Sequence, residues 1–293
     1  TEAYLIFTCT HVSELNKVSE AEQCVRLLDG KDLATRPIAA GTENGKVALT
    51  CAKNTAAVKR TVKAMQPIQL GCGAKDGAAA MATHAQVLFK QGNALKQDDQ
   101  VSAFQNLLRQ AIHDSVNDEV PEANALVQAM YGADKSPVFY VYFDKQRALW
   151  VVEIIWSVEG PRQGCVWGSL LFCIATKQAL ERLALEFPDV TVRAQCDDIV
   201  RATKPRAGET WPDALERLSL MVHRQDELFN PLGLTRHPDK SKCTIPLEAV
   251  EPLRRMTQCD EDGNVLAEEL PVLTVNNIPT TVLRGSVISG IPV

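Results

Sequence analysis

The amino-acid sequence predicts an α+β fold in which antiparallel strands are flanked by helices. Two hairpin patterns support this, one formed by Val138–Phe143 with Leu149–Trp156 and one within Val190–Val200. The two runs of each pattern are separated by only a short turn, so they must pair antiparallel, because a parallel pair needs a long crossover. Segments with helical apolar spacing lie between the hairpins, which favours α+β over a doubly wound parallel sheet.

The length and composition are those of an ordinary globular protein. The 293 residues allow one large domain or two to three subdomains, and 45% of them are hydrophobic and 23% charged. No run approaches the ~18 apolar residues of a membrane helix, and the N-terminus lacks the basic region of a signal peptide. We therefore expect no membrane association and an intracellular location, nuclear or cytoplasmic. The absent initiator methionine indicates a processed chain or a fragment.

The cysteine spacing indicates the redox compartment of the protein, and the net charge limits the classes of partner that it can bind. The nine cysteines include no C-x-x-C pair, which argues against a zinc ribbon and against a secreted disulfide framework. Buried free thiols in a reducing compartment are the expectation. The net charge of −5 counts against a nucleic-acid partner, although a local basic groove can lie on an acidic protein.

The local patterns predict alternating helices and extended segments along the chain. In the N-terminal half we predict a helix at Val12–Leu28, a turn at Asp29-Gly30, an extended segment at Arg36–Ala40, a helix at Lys46–Met65, a glycine-rich loop at Gln69–Gly77, a helix at Gly77–Phe89 capped by Asp76, a strand at Ala94–Asp98, and helices at Ser102–Val116 and Pro121–Tyr131. The C-terminal half adds a loop at Gly160–Gly164, helices at Val166–Phe187 and Pro212–Phe229, an extended segment at Leu234–Ile245, and short strand-like runs towards the C-terminus.

Four local features could carry chemistry, and each has a plain structural explanation when it is taken alone. Asp197-Asp198 lies at the turn of the second hairpin, where aspartate is common, although two adjacent like charges favour water or a cation. Acids also end the strand at Asp98-Asp99, where they could cap the next helix. The Gly160–Gly164 loop precedes a long helix, and a lysine-containing turn spans Pro238–Lys242. Chain punctuation and a solvated turn are the commoner explanations of these last two.

The order and spacing of the four features resemble the palm of reverse transcriptases, most closely that of non-LTR (LINE-like) retroelements. Ser102–Phe104 sets the register of the first motif, so that Asp99 matches the metal ligand and Asp98 is its neighbour. Gly160–Gly164 with Leu170–Phe172 resemble the second motif of the family, and Gln195–Asp198 resemble its third motif. The chain departs from the family at Ser102, Cys165, Val166 and Gln195, where asparagine, aspartate, proline and an aromatic residue are usual.

The resemblance covers roughly residues 36 to 290 and implies a role for each matching residue. Further segments that resemble the family are Arg36–Ile38 and Gln69–Gly73 of the fingers, Lys240 of the fourth motif with Lys242 as its rival, and, loosely, Val282–Gly285 of the primer grip. The implied roles are Mg²⁺ ligation (Mn²⁺ as a substitute) by Asp99, Asp197 and Asp198, sugar gating by Phe104, triphosphate binding by Arg36, template or nucleotide contact by Gln163 and Gly164, and action near the leaving group by Lys240. A core role for Phe104 and a surface role for Arg36 remain alternatives.

The resemblance also implies an architecture and an activity. It implies a right-hand polymerase with fingers and palm, whose thumb is absent or truncated. The implied parts are fingers at 1–93, the first carboxylate motif of the palm at 94–118, a fingers/palm hairpin region at 119–160, the palm catalytic core at 161–250 and a primer-grip-like palm end at 251–293. The implied reaction is template-directed DNA synthesis by two-Mg²⁺ nucleotidyl transfer to a primer 3′-hydroxyl. An RNA template, a DNA primer, deoxynucleoside triphosphates and further domains of a larger polyprotein would be the partners.

Two other interpretations stay open at this point. The first is a catalytically decayed remnant that keeps the fold and acts only as a nucleic-acid or protein binding module. The acidic net charge and the altered second motif favour it. The second is a small-molecule enzyme that uses the aspartate pair to hold a metal, which has only the individual motifs in its favour.

Overall fold

The structure is a computed structural model, and it describes most of the central part of the chain. The described residues are 10–16, 35–41, 43–132, 135–144, 146–162, 164–237, 240–254, 273–275, 278–283, 287–288 and 291–292. The predicted turn at Asp29-Gly30, Gln163 of the second motif and Arg284-Gly285 of the primer-grip-like segment lie outside these residues.

The described residues form helices and mainly antiparallel strands, which confirms the predicted α+β class. The helices are α1 Glu43–Lys53, α2 Ala56–Ala64, α3 Gly77–Lys90, α4 Ala103–Asn106, α5 Arg109–Glu119, α6 Asn124–Tyr131, α7 Gly168–Glu186, α8 Trp211–Phe229 and α9 Leu247–Arg254. The strands are β1 Thr10–Asn16, β2 Thr35–Gly41, β3 Ala94–Asp98, β4 Ser136–Asp144, β5 Leu149–Ser157, β6 Thr191–Gln195, β7 Asp198–Thr203, β8 Lys242–Thr244, β9 Leu273–Val275, β10 Ile278–Leu283, β11 Val287–Ile288 and β12 Ile291–Pro292.

The chain divides into two compact units. Unit 1 comprises Thr1–Lys59 and Leu107–Leu171, and unit 2 comprises Arg60–Asn106 and Phe172–Val293. The chain passes between the units within α2, near the start of α5 and within α7. Each unit therefore contains segments that are distant in sequence.

Unit 1 contains a four-stranded sheet in the order β2-β1-β4-β5. The predicted hairpin is β4 and β5, which pair antiparallel from Ser136↔Ser157 to Asp144↔Leu149. Strand β1 pairs antiparallel with β2 and parallel with β4. The predicted helix at Val12–Leu28 is therefore wrong over its first residues, because β1 satisfies its backbone groups by pairing with two other strands.

Unit 2 contains a six-stranded sheet in the order β6-β7-β3-β8-β10-β9. The pairs β6–β7, β7–β3, β3–β8 and β10–β9 are antiparallel, whereas β8 and β10 pair parallel. Helix α3 packs on this sheet. Its small side chains Ala82 and Ala85 lie with Met81 against Leu95 and Val200, so the alanine-rich helix approaches the sheet closely and forms its core.

Two of the predicted helices are each divided into two helices in the structure. The helix predicted at Lys46–Met65 is two helices, because Asn54 and Thr55 donate their amides to carbonyls three residues back and end α1. The helix predicted at Ser102–Val116 is also two, since Leu108 has an extended backbone with φ −62° and ψ 134°. Helix α9 was not predicted. Asp76 has a φ of 50° and makes no side-chain cap, so its predicted capping role is wrong.

Among the described residues, no helix combines the length and the apolar character that crossing a membrane would require.

Candidate active site

The candidate site lies in unit 2, where the end of β3 meets the turn between β6 and β7. Strands β3 and β7 pair antiparallel, with Asp98 opposite Ile199. Continuing this register by one residue brings Asp99 opposite Asp198. Asp197 lies in the tight turn that joins Gln195 of β6 to Asp198 of β7. The three aspartates that were predicted to form a site therefore lie at one end of the sheet.

The charges of these carboxylates act on one another. The pKa of Asp198 is raised to about 6. Burial is the largest cause, and the negative charges of Asp197 and Asp99 raise the pKa further. Lys240 acts in the opposite direction. The site therefore holds more negative charge than its own groups neutralise, and a cation bound there would lower its electrostatic free energy.

Lys240 is the cation that faces this site. Its Nζ lies 2.7 Å from Asp99 Oδ2, and the side chains of the two residues are 56% and 29% exposed. An ion pair this exposed contributes at most about 1 kcal/mol, so Lys240 can exchange Asp99 for another anion at low cost. Lys242, the rival in the sequence, is an exposed residue of β8 opposite Gln97.

Backbone hydrogen bonds bring the segment before Lys240 alongside Asp99. The amide of His237 donates to the carbonyl of Asp99 over 2.8 Å, and the amide of Val101 donates to the carbonyl of Thr235 over 2.9 Å. Gln100 and Arg236 form the β-bridge between them. These contacts fix the position of Asp99 through its own backbone.

Asp98, the neighbour of Asp99, lies in a buried and positively charged environment. Its side chain is fully buried and accepts hydrogen bonds from Arg201 Nη1 over 2.7 Å, from Ser241 Oγ over 2.8 Å, and from Lys96. A guanidinium nitrogen of Arg236 lies 3.8 Å away. Successive side chains of a strand point to opposite faces, so this buried ion cluster leaves Asp99 directed away from it.

Three residues that sequence analysis did not assign to the site hold the β6–β7 turn. Cys196 has a φ of 54°, a left-handed conformation that is unfavourable for a side chain. Gln69 stabilises it, since its Oε1 accepts from the Cys196 amide over 2.9 Å and its Nε2 donates to the Cys196 carbonyl over 3.2 Å. Gly71 also donates to Gln69 Oε1, over 2.8 Å. The resemblance of Gln69–Gly73 to a fingers segment was the only signal for this contact.

Gly71 is needed for this close approach. A Cβ at this position would lie 2.6 Å from the Cys196 amide nitrogen and 2.7 Å from its Sγ. Such distances are far inside van der Waals contact, so any side chain here would displace the turn that carries Asp197. Overpacking of this kind typically costs about 1–3 kcal/mol.

Phe104 lies just after the end of β3, in the short helix α4. Its ring stacks on Phe172 of α7, with ring centroids 4.9 Å apart and an interplanar angle of 18°. Phe104 is half-buried and Phe172 fully buried. Phe172 belongs to the Leu170–Phe172 part of the second motif, so two motifs of the sequence meet in this pair.

The remaining predicted site residues belong to unit 1 or lie outside the description. Gly164 has a φ of 100°, a conformation that favours glycine. The loop before it is held by Arg162, which is buried, donates to the Met130 carbonyl over 3.3 Å and stacks 5.1 Å from the ring centre of Tyr131. Gln163 and the side chain of Arg36 lie outside the described residues.

The donor set of the site suits a hard cation, since carboxylate oxygens are the ligands that Mg²⁺ and Mn²⁺ prefer. Within the described part of the chain, however, no group of three or more His, Cys, Asp or Glu side chains is arranged to hold a metal ion. Asp99 is engaged by Lys240 in this arrangement. Mg²⁺ ligation by Asp99, Asp197 and Asp198 thus stays a prediction. The carboxylate chemistry of the three residues supports it, and the arrangement of their side chains does not.

We expect the raised pKa of Asp198 to make the metal-free protein less stable as the pH rises from about 4 to about 6. In this window the folded protein binds more protons than the unfolded chain, whose pKa is near 3.8. The full effect would be about 3 kcal/mol, and solvent screening at this turn reduces it to about 1–2 kcal/mol. Asp198→Asn should therefore raise the free energy of unfolding at pH 8 by this amount and leave it unchanged at pH 4.

Urea unfolding in chelator-treated buffer from pH 4 to pH 8 measures this difference. Asp189→Asn is the matched control, because Asp189 is an exposed acid that pairs with Arg206. If the free energies of unfolding of wild type and Asp198→Asn change in parallel over the whole pH range, the pKa of Asp198 is not raised in the folded protein.

The fold and the site agree with one expectation from the sequence. An acid that follows one strand and two further acids in a hairpin turn beside it, within an α+β fold, are the arrangement that the resemblance to reverse transcriptases implies.

Comparison with known proteins found similarity in sequence and in fold. Over 86 residues, 29% of this chain, the sequence is 34% identical to the retrotransposable element SLACS 132 kDa protein of Trypanosoma brucei gambiense. Telomerase from Candida albicans, in complex with the TWJ fragment of telomeric RNA, covers 80% of the chain with a TM-score of 0.52 and 8% identity. Apo telomerase from Candida tropicalis, truncated from its C-terminal domain, also covers 80%, with a TM-score of 0.49 and 11% identity.

These matches are partial. The chain spans 6% of the length of the SLACS protein, and 42% and 49% of the lengths of the two telomerase chains. No protein-family model matches the sequence. The expected resemblance to a retroelement reverse transcriptase is confirmed as a similarity: the chain is similar over 86 residues to a retrotransposable element protein and in fold to a telomerase.

Proposed function

We propose that this chain is the fingers-and-palm part of an RNA-directed DNA polymerase. One observation carries this function: Asp99 at the end of β3 lies beside Asp197 and Asp198 of the β6–β7 turn, and their charges interact. The relatives are compatible with it, because one belongs to a retrotransposable element and another is described in complex with an RNA fragment. The partners would be an RNA template, a DNA primer and deoxynucleoside triphosphates.

The parts of the polymerase would follow the sequence motifs. We assign the fingers to 1–93, the palm to 94–118 and 161–250, the connecting hairpin region to 119–160 and a primer-grip-like palm end to 251–293. The six-stranded sheet of unit 2, which carries all three carboxylates, would be the palm sheet. The β4–β5 hairpin of unit 1 would belong to the fingers side.

The three carboxylates would hold the catalytic cations, two Mg²⁺ or Mn²⁺ ions. When bound, these ions would activate the primer 3′-hydroxyl and stabilise the leaving pyrophosphate. The chain would contribute a site in which negative charges lie close together before a cation binds. The raised pKa of Asp198 reflects this, since the charges of Asp197 and Asp99 act on it. The Gln69 bonds to Cys196 keep the turn in one conformation, so that the carboxylates need little reorganisation.

Other residues would bind and select the nucleotide. Lys240 would leave Asp99 and move to the phosphates of the nucleotide, since its side chain is exposed and its ion pair is weak. Phe104, backed by Phe172, would press on the sugar and discriminate against a 2′-hydroxyl. Arg36 would bind the triphosphate, and Gln163 and Gly164 would contact template or nucleotide.

Primer extension tests this function. A labelled DNA primer on an RNA template is incubated with the purified chain, deoxynucleoside triphosphates and Mg²⁺, and the products are separated on a denaturing gel. We expect extension that depends on Mg²⁺ or Mn²⁺, stops with chelator and is absent in Asp99→Asn. Asp189→Asn, an equal charge change at an exposed ion pair, should extend like the wild type. No extension by wild type, under conditions where a control reverse transcriptase works, would contradict catalysis.

A binding module without catalysis is the second candidate, and the Lys240–Asp99 ion pair favours it, because an ammonium group then neutralises the carboxylate that a metal would need. Such a module would bind primer–template without extending it. Fluorescence anisotropy over a range of salt concentrations measures this, since binding through phosphates weakens steeply with salt. Salt-independent binding would count against phosphate contacts in either candidate.

A further inference from the structure

Three cysteine thiols surround the turn that carries Asp197. Cys72, Cys173 and Cys196 are free cysteines, and the Cys173 thiol lies within hydrogen-bonding reach of the other two. A Cβ placed on Gly71 would be 2.7 Å from Cys196 Sγ and 2.9 Å from Cys173 Sγ, so both sulfurs lie close to one point. The three residues come from separate parts of unit 2, and only the tertiary fold brings them together.

The thiols differ in exposure and in rigidity. Cys173 is completely buried in α7, where Phe172 and Ile174 beside it are also buried, and Cys72 is 5% exposed. Cys196 is partly exposed, in the left-handed residue directly before Asp197. A small oxidant from solvent therefore reaches Cys196 first. Hydrogen bonds to Cys196 and Cys72 raise the pKa of Cys173 well above its usual value, which disfavours the reactive thiolate there.

We propose that Cys196 and Cys173 form a reversible disulfide when a hydroperoxide oxidises the protein, and that this modification displaces the carboxylate turn. The Cys196 thiolate attacks the terminal peroxide oxygen, which gives a sulfenic acid and releases an alcohol, or water from hydrogen peroxide. The Cys173 sulfur then attacks the sulfenic sulfur, the S–S bond forms, and the hydroxyl leaves as water with the Cys173 proton. The two thiols lose two electrons, and the peroxide gains them.

The carboxylate turn is displaced because, of the two cysteines that form the disulfide, Cys196 is the one that can move. A disulfide requires sulfurs about 2 Å apart, closer than two thiols in contact. Cys173 is held in a buried helix, so Cys196 has to move towards it. This movement strains the two Gln69 hydrogen bonds to Cys196 and shifts Asp197, the next residue. A misplacement of about 1 Å can lower a catalysed rate about 100-fold.

Peptide mapping of the oxidised full chain tests the disulfide without reference to activity. The protein is treated with hydrogen peroxide, remaining thiols are alkylated, and the peptides are analysed by mass spectrometry before and after reduction with dithiothreitol. We expect a Cys173–Cys196 peptide pair that dithiothreitol separates. Cys173→Ser should lose this pair and should leave a sulfenic acid on Cys196 that dimedone traps. Cys51→Ser, at an exposed cysteine of unit 1, is the matched control and should keep it.

The outcomes separate this inference from the proposed function. A Cys72 link in place of the expected pair, or an unlinked Cys196 in oxidised wild type, would overturn it, and neither result depends on polymerase activity or on the folding of a variant. The expected 100-fold loss of primer extension on oxidation, reversed by dithiothreitol, rests on the proposed function. If the disulfide forms and wild type never extends a primer, the proposed function fails and the modification site stands.

Discussion

Under the proposed polymerase function, replacement of Asp197 by alanine is expected to slow the addition of the first nucleotide about 10³-fold and to leave the fold intact. A catalytic cation contributes several kcal/mol to stabilising the transition state, and each 1.4 kcal/mol corresponds to about tenfold in rate. Asp197 is a partly exposed turn residue, so its loss opens no cavity in the core. Single-turnover primer extension measures the rate, and the urea midpoint checks the fold.

Asp189→Ala is the control for this prediction, because it removes an exposed aspartate whose partner is a surface arginine. It should reduce the rate less than twofold. If Asp197→Ala extends primers as fast as wild type, Asp197 holds no catalytic cation. If both variants are slow and both unfold early, the effect comes from stability and not from the site.

Replacement of Asp98 by asparagine is expected to lower the free energy of unfolding by about 3–5 kcal/mol, the usual cost of breaking a buried ion pair. The Asp98 carboxylate is fully buried between Lys96, Arg201 and Arg236. Burial lowers the pKa of Lys96, and the Asp98 charge opposes this effect. Without that charge, the cations around it lose their compensation. Urea unfolding followed by circular dichroism measures the loss.

Asp99→Asn is the matched control, since it makes the same chemical change one residue along the chain. Its carboxylate is partly exposed with one ion pair, so the expected change in stability is at most about 1 kcal/mol. Ser241→Ala removes one hydrogen bond to Asp98 and should cost about 1–3 kcal/mol, which provides a measurable variant if Asp98→Asn does not fold. Equal effects of the two asparagine variants would contradict the buried cluster.

The local pattern of the sequence was sufficient for the elements that carry the site. The strand Ala94–Asp98 has its predicted limits, and the β4–β5 and β6–β7 hairpins lie where they were predicted. Alternating apolar residues and short turns determine such pairs over a few residues, so no distant contact is needed to recognise them. The resemblance to reverse transcriptases, and not the local pattern, singled out Asp99, Asp197 and Asp198, and continuing the sheet register places Asp99 opposite Asp198.

Other features depended on partners that the local pattern does not contain. Strand β1 was mistaken for a helix because its pairing with β2 and β4 is visible only in the folded sheet. In the sequence, only the family resemblance distinguished Asp99 from Asp98. The structure separates them by environment, since Asp98 is fully buried among cations and Asp99 is partly exposed.

The sequence by itself thus determined the α+β class and the hairpins, because both depend on neighbours along the chain. Only the tertiary structure decided how the site is held. Arg201 bonds to Asp98 across 103 positions, Gln69 to Cys196 across 127, and Lys240 to Asp99 across 141. Contacts over such separations are set by how the whole core packs, so the periodicity of residues near in sequence carries no information about them.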